Sequence, residues 1–304
     1  MCFRPSTQSL RPSVYDYITE NGRRFHRFRS GQYHLPNDET EQDRLDLQHH
    51  MFMFTIDDKL HLAPIEILEG GLNNVLDIGT GTGLWATEFA NEYPMANVLG
   101  SDLSPIQPDF VPPNCRFEVD DVEDEWLHSY KFDYIHGRAL AFCFRSHETV
   151  FGHAFNALRP GGWFEIQDVA IPMVALDETV AGTAVELWVS RLIEGGRALG
   201  RDFTRVPTYK EILEDIGYVD VVERHFHWPV GTWAKGDKMK TLGAWMREDF
   251  LSGIQGASMG VMVKGLGMTV EEVEVFLVDV RNDIWSNRIH SYFPVHVVYG
   301  RKPY

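Results

Sequence analysis

The sequence predicts a doubly wound α/β fold with a mostly parallel sheet of seven strands covered on both faces. Three observations predict it. From Asn74 onward, short apolar runs alternate with segments of helical periodicity, the pattern of strands joined by crossover helices. Glycine and proline punctuate the alternation, most clearly at Gly79 to Gly83 and at Arg159-Pro160-Gly161-Gly162. The chain has 304 residues, 44% hydrophobic and 24% charged, enough for a large core without disulfides.

The strands are read at residues 75–78, 97–101, 115–119, 132–136, 163–169, 218–229 and 292–299. Helices are expected over 84–93, 148–158, 178–199 and 208–216; Arg159-Pro160-Gly161-Gly162 stops the second and Gly217 caps the last. Residues 233–287 are mostly helical by pattern and long for a loop, so a helical lid is expected there. Ahead of the sheet, residues 13–28 and 39–68 read as amphipathic helices separated by a loop at 31–37. The division is thus a helical N-terminal cap over 1–70 and a sheet domain over 71–304, with helical insertions near 170–206 and 232–289.

The formal net charge of −16 repels phosphate and argues against a nucleic-acid partner. Arg23, Arg24, Arg27 and Arg29, mixed with Phe25, His26 and Phe28, run the other way; a helix docked on the core is the simpler reading. No apolar run approaches the roughly 20 residues needed to cross a bilayer. The first 20 residues carry Arg4, Arg11, Asp16 and Glu20, so no secretory leader is expected. Cys2, Cys115 and Cys143 have no paired spacing, so neither a disulfide framework nor a metal site is expected. The expected location is cytoplasmic, with the nucleus as the alternative.

The strongest motif is Asp77-Ile78-Gly79-Thr80-Gly81-Thr82-Gly83, between a strand and a helix. Glycines there let the backbone turn tightly and let a ligand approach. The GxGxG spacing differs from the GxGxxG of dinucleotide sites, and Asp77 would repel a pyrophosphate, which disfavours a nicotinamide-dependent dehydrogenase. An ammonium beside a carboxylate would tolerate Asp77, and the methionine part of S-adenosylmethionine is such a group. Asp102, ending the second strand, can accept from both ribose hydroxyls, with Leu103 against the adenine. After the third strand, Asp121 can accept from an adenine amino group while the Val122 N–H meets a ring nitrogen. At the end of the fourth strand, Gly137 would give close access to the cofactor, and His136 is the candidate general base because imidazole titrates near neutrality.

Four such signals in this order resemble the class I S-adenosylmethionine-dependent methyltransferases over about residues 72–170. A narrower resemblance runs through most of the chain. Residues 31–39, the run Gln42-Asp43-Arg44-Leu45-Asp46-Leu47-Gln48-His49-His50 and the tail from Ile289 to Pro303 look like the fungal LaeA-like methyltransferases. The resemblance implies a Rossmann-like fold and S-adenosyl-L-methionine as cofactor. Its relatives include regulators of secondary metabolism and tailoring enzymes. A small-molecule methyl acceptor is therefore expected, the alternatives being a regulator acting through a protein partner or a non-methylating enzyme on the same fold. The chain starts close to the shared region, so no long N-terminal extension is expected.

Methyl transfer is an in-line displacement that needs alignment, exclusion of water and, for a hydroxyl or amine, a base. Besides His136, the candidates near an acceptor are Arg138, Gln167, Asp168, His290 and Tyr292, with Tyr33, Trp233, Trp245, Met246, Phe250, Met259 and Met262 as apolar lining. Replacing Asp102 with alanine should weaken cofactor binding by about 1–3 kcal/mol. Calorimetric titration checks this, and an unchanged affinity refutes the ribose assignment.

Overall fold

The structure, a computed structural model, describes residues 17–26 and 35–304. Its first element is a hairpin, Tyr17–Glu20 (β1) and Arg23–His26 (β2), not the helix expected over 13–28. The turn residues Asn21 and Gly22 have φ of 51° and 76°. A two-residue hairpin turn demands that conformation, and Asn-Gly supplies it at low cost. Arg23 donates to both carboxylate oxygens of Asp38, at 2.6 and 2.8 Å, and Arg24 donates to the Asn37 carbonyl. Two arginines of the basic cluster thus tie the hairpin to the chain that follows. Arg27, Arg29 and the other expected helical positions at 13–16 and 28 lie outside the described residues.

Asp38 caps Glu39–Thr55 (α1) by accepting from the Glu41 N–H. The helix ends short of the expected residue 68, because Asp57 and Asp58 both turn to positive φ, 59° and 58°. The segment beyond is fixed by side chains from the sheet. The Glu165 carboxylate accepts from the N–H groups of Leu62 at 2.9 Å and Ala63 at 2.6 Å, and Trp85 Nε1 donates to the Leu60 carbonyl.

The sheet then builds through Asn74–Ile78 (β3), Leu84–Glu92 (α2), Asn97–Asp102 (β4), Cys115–Val119 (β5), Phe132–Arg138 (β6), His147–Ala157 (α3) and Leu158–Val169 (β7). Arg159-Pro160-Gly161-Gly162 follows α3 but lies within β7. The Gly161 N–H donates to the Lys302 carbonyl and the Lys302 N–H to that of Gly162, so the turn residues are held by the C-terminal tail. Next come Val174–Ala175 (β8), Ala184–Ala198 (α4), Tyr209–Ile216 (α5) and Val219–Pro229 (β9). The chain closes through Asp237–Ser258 (α6), a π-helical stretch Met259–Val263, Lys264–Leu266 (α7), Val270–Trp285 (α8) and Ser291–Arg301 (β10).

The strand order is β5-β4-β3-β6-β7-β10, with β9 and the short β8 both paired to β10. β3 to β7 are parallel, and β10 is antiparallel to its neighbours. The seven expected strands are present, and β8 is an eighth of only two residues. The winding direction reverses between β3 and β6, and the ends of those strands are where an open α/β sheet binds its ligand.

Three cores follow. Trp85, Phe89 and Tyr134 pack with residues 60–68 under α2. Phe151, Phe164 and Tyr209 pack on the opposite face under α3 and α5. The third, around Trp188, Trp228, Met246 and Leu277, sits where α1, α4, α6 and α8 meet strands of the antiparallel edge. Removing the Glu165 carboxylate as alanine leaves two backbone donors without their acceptor and should cost about 2–4 kcal/mol in urea unfolding. A loss under about 0.5 kcal/mol contradicts its anchoring role.

Candidate active site

β3 ends at Asp77-Ile78, and the chain turns through Gly79 to Gly83 into α2. Gly79 has φ 61° and Gly83 φ 78°. A Cβ at Gly79 would lie 2.3 Å from Leu140 Cδ2, and one at Gly83 2.4 Å from the Phe117 ring. Backbone conformation and packing both demand glycine at these two positions. Gly83 does not line the cleft above the turn, and neither does Gly137. A Cβ at Gly137 would meet Ile78, Leu140 and Ile166 at 2.9 to 3.1 Å, so that glycine serves packing beneath the site rather than access to a ligand.

The turn is held by carboxylates. Asp77 accepts from Thr80 Oγ1 at 2.6 Å, Asp102 Oδ2 accepts from the Gly81 N–H at 2.8 Å, and Asp46 on α1 accepts from Thr82 Oγ1 at 2.7 Å. Asp102 Oδ1 also accepts from the Ser104 N–H. A carboxylate oxygen can accept more than one hydrogen bond, so Asp102 keeps acceptor capacity beyond its backbone partners. Burial pushes the Asp102 carboxyl up to about 6, offset in part by the N–H groups of Ser104, Gly81 and Leu103.

His136 is fully buried. Its Nδ1 donates to Asp77 Oδ1 at 2.8 Å, and its ring stacks on Trp85 with centroids 3.8 Å apart. Burial lowers its pKa despite the Asp77 carboxylate, so the ring is neutral with its proton on Nδ1. It lines the adjoining limb with Asp77 and Arg138 and is not among the residues that wall the acceptor cavity described below.

At the end of β6, Arg138 donates to His49 Nδ1 at 2.7 Å, and His49 Nε2 donates to Glu88 at 3.0 Å. Burial first and the Arg138 charge second push His49 down to about 2, so it stays neutral and its tautomer follows from its partners. Burial brings Arg138 down to about 10, which leaves it charged at neutral pH.

Three cavities adjoin here, and Leu45 and Ala139 line all of them. One runs past Gly79 and Gly81 to Asp102, Leu103, Asp121 and Val122. A second holds Asp77, Thr80, Gln48, His49 and Arg138. The third, about 150 Å³, is walled by Phe142, Trp188, Trp228, Met246, Phe250 and Phe293, with Asp168 and the Arg44–Asp249 ion pair among them. At the seam, Ala139 has φ 57° and donates its N–H to the Gln167 carbonyl. A left-handed alanine costs about 1 kcal/mol or more. The strain turns the chain between the cavities.

Of the other expected pocket residues, Asp168, Met246 and Phe250 line the third cavity. Gln167 is buried against Glu165, His290 pairs with Asp177 at the surface and Tyr292 packs on His227, so none of these three lines it. Trp233, Trp245, Met259 and Met262 are also outside that wall, and Tyr33 lies outside the described residues. Leu45, Gln48 and His49 were quoted in the sequence only for their pattern, Glu123 closes the acidic run Asp120-Asp121-Val122-Glu123 after the third strand, and Ala139 and Arg201 carried no signal. All six line the cleft.

The limb at Asp102 carries Asp120, Asp121 and Glu123 as well. Four carboxylates would repel phosphate and suit a ligand that offers hydroxyl and amino donors, as the adenosine of S-adenosylmethionine does. The family profile described as Methyltransferase domain matches residues 47–223. The chain belongs to this methyltransferase family. It is 36% identical to methyltransferase pytC of Aspergillus terreus, over 98% of this chain and 92% of that one. It is 32% identical to the protein-methionine methyltransferase laeA of Emericella nidulans, over 93% and 76%. Among solved structures, the [4+2]-cyclase SpnF superposes with a TM-score of 0.51 at 14% identity, over 84% of this chain and 82% of that one; this likeness concerns the fold alone.

The methyltransferase uses S-adenosylmethionine as its cofactor. The ionised Asp102 is the form that accepts hydroxyl donors. Cofactor affinity should therefore be full above about pH 7 and fall as the pH drops through about 6, by about tenfold at pH 5. Asp102→Asn should bind more weakly at pH 8 and lose this step. Titration across pH checks it; a flat wild-type profile, or the same slope in the variant, contradicts the assignment.

Proposed function

We propose that the methyltransferase acts on a small, largely apolar acceptor in fungal secondary metabolism. The observation that carries this is the seam at Leu45 and Ala139, where the glycine-turn limbs meet an aromatic-walled cavity. The names of the relatives support the biological setting, since the laeA protein of Aspergillus fumigatus is described as a secondary metabolism regulator. A protein acceptor, as the name of the Emericella nidulans relative indicates for that protein, is less well served by a cavity walled by α1, α4 and α6. Among the described residues no helix is long and apolar enough to cross a membrane.

When bound, S-adenosylmethionine supplies the activated methyl group. In this reading Asp102 would hold the ribose, Asp121 and the Val122 N–H the adenine edge, and Leu103 its face. Asp77 would take the ammonium end and Arg138 the carboxylate, each held by its own histidine, His136 and His49. His136 is then a positioning residue. α1 with α4, α6 and α8 forms the cap that excludes water, a requirement of displacement at a sulfonium-bound methyl.

Asp168 is the group we assign to accept a proton from a hydroxyl or amine. It lines the cavity, and burial pushes it up to about 7, near the value that suits a base at neutral pH. The Ala141 N–H and the Tyr209 hydroxyl each donate to one of its oxygens and fix its orientation.

The test is incubation with methyl-labelled S-adenosylmethionine and fractionated fungal metabolites, followed by mass spectrometry for the gain of one methyl group. Once an acceptor is found, Phe250→Ala should lower kcat/KM by about tenfold, the worth of part of a buried aromatic contact, with cofactor affinity within about twofold of wild type. Label appearing only in protein, or a Phe250 variant with unchanged kcat/KM, contradicts the proposal.

A further inference from the structure

Glu223, His225 and His296 lie on the antiparallel edge of the sheet, outside the cleft. Glu223 and His225 are two apart on β9 and share a face, and His296 on β10 stands directly opposite His225. Trp228 and Phe293, which wall the acceptor cavity, are also cross-strand partners but point to the other face. Glu223 Oε1 meets His296 Nδ1 at 2.7 Å, and Glu223 Oε2 meets His225 Nε2 at 3.2 Å. The two imidazoles are 4.4 Å apart, centroid to centroid. One ligand atom from each of the three residues falls within 4.8 Å of the others.

We propose that these three side chains form a binding site for a divalent transition metal of the zinc class. Two imidazole nitrogens and one carboxylate are a donor set that suits zinc, whereas magnesium and calcium prefer oxygen alone. Ligands bonded at about 2.1 Å around a tetrahedral ion stand about 3.4 Å apart. The 3.2 Å between Glu223 and His225 is close to that, and the 2.7 Å between Glu223 and His296 is a hydrogen-bond contact that would open to admit the ion. His296 is buried and His225 is exposed, so the site has a fixed inner ligand and an outer side open to water as the fourth ligand. Bound metal would clamp β9 to β10 behind the wall of the acceptor cavity. The ligands come from strands whose residues are as much as 73 apart in the chain, which is why no spacing in the sequence announces them.

The experiment is calorimetric titration of tag-free, chelator-stripped protein with zinc chloride. Wild type should take up one zinc per chain. His225→Ala and Glu223→Gln should each weaken that uptake at least tenfold while keeping wild-type binding of S-adenosylhomocysteine. His227→Ala, on the same face but outside the cluster, should bind zinc as wild type does. Absence of zinc binding by the wild type overturns the proposal. So does wild-type affinity in both cluster variants, which would place the metal on other ligands.

Discussion

Three consecutive residues of the glycine turn each donate a hydrogen bond to an aspartate from a different element. Thr80 donates to Asp77 at the end of β3, Gly81 to Asp102 at the end of β4 and Thr82 to Asp46 on α1. The site depends on this convergence. It fixes the turn against the sheet, sets Asp102 beside it and brings α1 down as a roof. A hydrogen bond to an ionised group is worth about 1.5–3 kcal/mol. Three of them hold a five-residue turn whose glycines lose more backbone freedom on ordering than other residues do.

The same economy runs through the rest of the cleft. Two charged groups that line it are seated by neutral histidines rather than by opposite charges. His136 donates to Asp77, and His49 accepts from Arg138. A neutral partner orients a carboxylate or guanidinium without cancelling its charge, which under the proposed reading leaves that charge for the ammonium and carboxylate of the cofactor. His49 is held neutral by burial and by the Arg138 charge, and His136 by burial against the pull of Asp77. The acceptor cavity is different in character. Its charges are paired within the protein, as Arg44 is with Glu41 and Asp249, or oriented by local donors, as Asp168 is.

Much of the sheet was legible in the sequence because a parallel strand buried on both faces is a short apolar run, and glycine marks its exit. The placement of Asp77, Asp102 and Asp121 at the cleft was legible for the same reason, since each stands at or just past a strand end that the pattern locates. What misled was helical spacing without attention to turn chemistry. Residues 17–26 carry Asn21-Gly22, a hairpin turn that overrides the amphipathic pattern, and Asp57-Asp58 ends α1 where the apolar spacing continues. The setting of His136 was legible only in part. Its position at a strand end was visible, but its stacking on Trp85 and its bond to Asp77 are tertiary facts. Arg201 and the Glu223–His225–His296 cluster depend on contacts between distant segments and left no local trace.

The central claim is that one continuous cleft joins the glycine turn to the aromatic cavity at Leu45 and Ala139. A crystal structure with S-adenosylhomocysteine tests it most directly. The ribose should lie on Asp102, the adenine between Leu103 and Val122, and the sulfur at the seam, aimed into the cavity of Phe142, Trp188 and Phe250. A sulfur pointing to bulk solvent, or a cofactor bound away from Asp102, would contradict the account.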